Sequence, residues 1–232
     1  MREHRVNSFG ELHTVLQRFK KSNKWVFRGH VDPSWELSPK AGRLPYSDSD
    51  DLNILDSWKR RAVEFLNSVP DNDWDWIAIA QHHGLATRLL DWSYNPLIAA
   101  YFASTHEHDT DAHIYCYKPN WYLIAEKTKP KTYKGVSLFK PKGVVPRITR
   151  QGGVFTVHSD PTIPLNKSLD KKDELELIII SKSYVRDLLF DLNHYGINSA
   201  NVFPDLDGLS KHVNWYSENR DFWDGGLGED ET

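Results

Sequence analysis

A chain of 232 residues, 39% hydrophobic, 12% aromatic and 26% charged, has ample material for one core and no signature of disorder. Its 29 lysines and arginines against 32 aspartates and glutamates leave a formal charge of -3, so composition gives no case for general nucleic-acid or anionic-membrane binding; only a local basic groove stays open. The single cysteine, Cys116, fits a reducing compartment. With no apolar signal segment and no apolar run near the roughly 20 residues that span a bilayer, the expectation is a cytoplasmic protein outside the membrane.

Along the chain, Ser8 and Glu11 form a capping box, and Leu12, Val15, Leu16 and Phe19 repeat at helical spacing. Trp25, Val26 and Phe27 predict a short buried strand with Arg28 at its end, followed by Gly29 and His30. After an irregular stretch from Asp32 to Pro45, a second helix carries Leu52, Leu55, Ala62, Phe65 and Leu66 on one face. Trp74 to Ala80 reads as a helix closing at Gly84, which puts Gln81, His82 and His83 on its last turn. Asn95 and Pro96 open an almost wholly apolar helix that Ser104 and Thr105 close.

From there the chain turns strand-rich, with strands predicted over Ala112 to Tyr117, Val144 to Ile148, Val154 to Val157 and Leu175 to Ile180. A penultimate helix carries Val185, Leu188, Leu189 and Leu192, and a last short helix follows Phe203-Pro204-Asp205. The layout is α+β, a helical half followed by a strand-rich half. One domain is expected, its core spanning about residues 8–217, with a short acidic tail at 225–232.

The densest chemical signal is Gln81 to Trp92 (QHHGLATRLLDW), where polar side chains interrupt an apolar context. Each unpaired buried polar group costs about 1–3 kcal/mol, so these residues pair with one another or with a ligand. Arg88 and Asp91, three apart, either clamp each other or contact a ligand. Gln81 and His82 point to function, His82 as a hydrogen-bond donor or a general acid-base. Adjacent His82 and His83 diverge on a helix and lack a further ligand nearby, which argues against a metal. No Gly-x-Ser-x-Gly elbow supports a serine hydrolase. Arg28 at a strand end suits bidentate grip of a phosphate or carboxylate, and Gly29 lets a ligand or another backbone come close.

Weaker signals are Gln151 in a glycine-rich turn, Glu174 and Glu176 alternating on one strand, and Asp205, which is either a cap or a fallback carboxylate. A metal-free nuclease based on His82 would need a second acid, His30 or His158.

Taken together, Trp25 to His30 (WVFRGH), Trp35 to Pro39 (WELSP), QHHG at 81–84, TRLLDW at 87–92, Asn95-Pro96-Leu97, Tyr101 to Ala103, Gly196-Ile197 and FPDLDGL at 203–209 resemble the FRG domain, named for its Phe-Arg-Gly motif. The resemblance implies a protein of bacterial or phage conflict, a toxin or a defence factor. A more distant similarity is to ADP-ribosyltransferases, since Arg28-Gly29, Ser104-Thr105 and Glu174-x-Glu176 occur in their order. That similarity implies a split sheet with NAD as substrate, Arg28 on its phosphates, Gln81 or His82 on ribose or the amide, and Glu176 as catalytic carboxylate. Gly29, Thr87, Arg88, Asp91 and Gln151 would complete the binding set, with no metal. The acceptor of ADP-ribose would be a macromolecule, protein ahead of nucleic acid. Ser104-Thr105, closing a helix where that family has a strand, departs from the pattern. The alternative is a non-catalytic nucleotide- or protein-binding module.

Overall fold

Val26 and Phe27 are apolar at consecutive positions, and successive strand residues face opposite ways, so their strand needs cover on both faces. The computed structural model, which describes residues 1–105, 109–142 and 152–220, supplies that cover. Its seven strands, β1 (Arg2–Val6), β2 (Val26–His30), β3 (Leu89–Ser93), β4 (Ala112–Lys118), β5 (Val136–Phe139), β6 (Gly153–His158) and β7 (Glu174–Ile180), form one mixed sheet in the order β1-β7-β4-β2-β3-β6-β5. Both Val26 and Phe27 are buried within it. The fold is α+β, as the sequence predicts.

Six of the seven described α-helices start where side-chain caps exist, and only Lys182–His194 lacks one. Ser8, Asp50, Asn72, Asn95, Asn198 and Asp205 accept from the first-turn amides of α1 (Phe9–Leu16), α2 (Asp51–Ala62), α3 (Asp73–His82), α4 (Pro96–Ser104), α6 (Ser199–Val202) and α7 (Leu206–Glu218). Helix α5 (Lys182–His194) completes the set. On one sheet face, α1, α4 and α5 pack over Phe27, Ile114 and Ile178, while α2 and α3 pack over Leu89, Phe155 and Val157. The other face buries Val26, Leu90, Trp92 and Leu138 against Leu37 and Leu165, from irregular segments.

Several elements depart from the sequence reading. Strand β1 is almost wholly polar and lies on the sheet edge, parallel to β7. Strand β3 takes over part of the QHHG–TRLLDW segment, and β5 lies where no strand is predicted. Phe65 is not on the buried face of α2: the helix ends at Ala62, a 3-10 turn follows, and Phe65 is 79% exposed. The last helix is not short, running 13 residues. The predicted strand Val144 to Ile148 and the acidic tail lie outside the described residues. No helix among the described residues is long and apolar enough to cross a membrane.

The feature that positions the site is a split in the sheet. Strands β2 and β3 share a single register pair, Phe27 with Ser93, whereas β2 pairs with β4 along its whole length. Past Phe27 the two strands diverge, leaving a gap between Arg28–His30 and Leu89–Trp92.

Candidate functional site

A cavity of about 740 Å³ opens at this split, within the roughly 300–1,000 Å³ typical of ligand pockets. Arg28 from β2, Trp35, Lys40 and Arg43 from the following irregular stretch, Gln81 and His82 from the last turn of α3, and Asp91 from β3 line it, with Phe102 and Thr105 from the end of α4. Helix α3 ends here because Gly84 takes a φ of 90°, in the left-handed region where glycine alone is unstrained, and its amide closes on Gln81 O.

Arg28 bridges the gap. Its Nη1 donates to the Asp91 carbonyl at 2.8 Å, and its Nε donates to His30 Nε2 at 2.9 Å. Burial pushes the guanidinium down to about 10, against the pull of Asp91, so it is cationic at neutral pH. His30 must be neutral to accept that bond; burial, then the charges of Arg28 and Arg43, hold it down at about 3. The Asp91 side chain is 63% exposed toward the cavity, 3.9 Å from Arg28 Nη1, and accepts from Gln81 Nε2 at 2.8 Å. Thr87 in turn donates to Gln81 Oε1, fixing which end of the amide faces Asp91. Arg43 anchors on Ser38 O at 2.9 Å and Lys40 on Gly84 O at 3.0 Å, adding two cations to the wall.

The structure brings Arg28, Gln81, His82 and Asp91 together and leaves other expected residues elsewhere. Arg88 does not pair with Asp91: it lies just before β3 and instead forms a bidentate pair with Asp51, Nε at 2.9 Å and Nη2 at 2.6 Å, both side chains only 9% exposed. Thr87 is buried behind Gln81. Gly29 does meet another backbone, that of α4: a Cβ there would sit 2.0 Å from Ala99 O. Gln151 lies outside the described residues.

Glu176 is not brought to the cavity. The register aligns Phe27 with Cys116 and Cys116 with Glu176, so Glu176 shares a face with Phe27 and Asp91 but stands on β7, two strands from β2 and three from β3. There it binds His4 at 2.9 Å and Arg18 at 3.6 Å. Glu174 pairs with Lys118, Asp205 caps α7, and His158 is buried against Thr156. The cavity residues that sequence reading missed are Lys40 and Arg43, which stand in irregular chain with no periodic signal, and Trp35, visible only as part of a motif. Among the described residues, no group of three or more His, Cys, Asp or Glu side chains is placed to hold a metal.

Comparison with known proteins bears on this same cavity. Residues 23–112 match the FRG domain family. The FRG match spans β2 to the start of β4, and every residue lining the cavity except Phe155 falls inside it. No curated protein and no solved structure matches the chain.

Proposed function

We propose that the FRG segment forms a nucleotide pocket that takes NAD as substrate and transfers its ADP-ribose to a macromolecule, as part of a toxin or defence system. The observation that carries this reading is the convergence of a partly buried cation, an amide and a carboxylate, Arg28, Gln81 and Asp91, on one cavity of suitable size. Asp91, rather than the distant Glu176, is the carboxylate the reading requires.

In this account Arg28, with Arg43 and Lys40, holds the pyrophosphate, since guanidinium groups match phosphate bidentately. His82 donates to a ribose hydroxyl. Breaking the bond between ribose C1′ and the nicotinamide nitrogen returns the electron pair to the pyridinium ring, and nicotinamide leaves neutral. The positive charge that builds on the ribose is then stabilised by the Asp91 carboxylate, fixed in advance by Gln81. The acceptor nucleophile bonds to C1′ and loses its proton to solvent.

Incubation with labelled NAD tests this. Wild-type protein should release nicotinamide and label an acceptor in lysate; Asp91→Asn should slow release about 10²–10³-fold while still binding NAD, and Arg28→Ala should lose binding. A second reading, a non-catalytic nucleotide-binding module, draws on the fact that Asp91 is already engaged by Gln81 and Arg28. Calorimetric binding of NAD without nicotinamide release would select it.

A further inference from the structure

The overall charge of -3 conceals a strong local asymmetry. Residues 118–142 hold seven lysines and one acid, Glu126, a local balance of +6, so the rest of the chain is correspondingly acidic. The segment leaves β4 and closes on the outer edge of the sheet: Leu138 N donates to Trp121 O at 3.0 Å, and Leu123 N to Leu138 O at 2.8 Å, laying Trp121–Leu123 along β5. Lys127, Lys129, Lys131, Lys134, Lys140 and Lys142 are all exposed.

Of these, Lys131 reaches Asp56 at 3.4 Å, and Lys142 reaches Asp71 at 3.8 Å and Glu126 at 3.9 Å. Exposed pairs of this kind contribute about 0–1 kcal/mol and exchange readily for a phosphate. Lys127, Lys129, Lys134 and Lys140 carry no ion pair among the described residues. In the same segment Trp121 is 59% exposed and Tyr122 46%, next to the bridge of Tyr122 to Leu138 on β5.

We propose that this edge binds single-stranded nucleic acid. Exposed cations that track a phosphate backbone, next to aromatic rings on which unpaired bases stack, are the combination such binding uses. A duplex hides its base faces and offers the rings nothing. A bilayer surface favours an amphipathic helix with an apolar face, whereas these aromatics sit on an extended edge. The inference is independent of the chemistry proposed for the cavity, and it supplies the local basic surface that composition left open.

Fluorescence anisotropy on the full chain tests it, using a labelled single-stranded oligonucleotide about 20 nucleotides long, the matching duplex, and phosphatidylserine vesicles. The single strand should bind at about 50 mM salt, weaken steeply as salt rises, and outcompete the duplex at least about tenfold. Trp121→Ala with Tyr122→Ala should weaken binding about tenfold or more, and Lys127→Glu, Lys129→Glu, Lys134→Glu and Lys140→Glu together should abolish it. Lys20→Glu with Lys21→Glu, exposed residues outside this segment, should change nothing, and circular dichroism should find each variant folded. Absence of binding at low salt would overturn the proposal, as would equal affinity for duplex untouched by Trp121→Ala, or binding to vesicles alone.

Discussion

Two arginines from the conspicuous motifs, Arg28 and Arg88, have opposite duties. Arg88 is spent on structure, its Nε and Nη2 both consumed by Asp51 at the first turn of α2, with Nη1 3.4 Å from Ser159 O. Removing one partner strands the other as an uncompensated buried charge. Arg88→Ala should therefore cost about 3–5 kcal/mol in urea unfolding followed by tryptophan fluorescence. Arg28→Ala should cost less, because Asp91, its charged neighbour, is 63% exposed and can be solvated by water. If both substitutions destabilise equally, Arg28 is structural and the cavity loses its proposed anion ligand. Sequence singled out both residues because arginine in apolar context is costly; it could not tell which one was already paired, since Asp51 lies 37 positions from Arg88.

At the scale of elements, the helices were the most legible part. Their caps and apolar spacing are local, and the observed first turns follow them at Ser8 and Asn95. Strand β1 carried no such signal, because an edge strand needs little apolar surface: of Arg2–Val6 only Val6 is buried. Strand β3 was obscured by the motif it contains, its Leu89 and Leu90 facing opposite cores. The contact between β2 and α4 gives a test. Gly29 meets Ala99 O and Ala103 N, so Gly29→Ala should push α4 away and lower stability by about 1–3 kcal/mol or more, read by thermal unfolding. An unchanged melting temperature with weakened ligand binding would instead place Gly29 among the ligand contacts.

For the whole molecule, the split sheet buries two histidines in neutral form. His30 is held at about 3 by burial and the charges of Arg28 and Arg43, and His158 at about 4 by burial, against an ordinary value of 6.5. Below 6.5 the unfolded chain takes up protons that the folded chain refuses. Stability is therefore full above that pH and is lost on acidification toward 4, at up to about 1.4 kcal/mol per pH unit for each histidine. Urea midpoints measured from pH 7 to 4 should show this slope, and His158→Gln should flatten it whatever it does to stability at pH 7. An identical slope in the variant would assign the acid sensitivity elsewhere. By itself the sequence determined the α+β class, the capped helices, and the segment where Arg28, Gln81 and His82 meet, because periodicity, caps and glycine turns are properties of neighbours in the chain. The tertiary structure alone decided that Asp91 joins them, that Arg88 turns to Asp51, and that Glu176 stands two strands away from Arg28. Alternation fixes a side chain's face within its own strand, but which strand comes next is set by pairing between distant segments, which leaves no local trace.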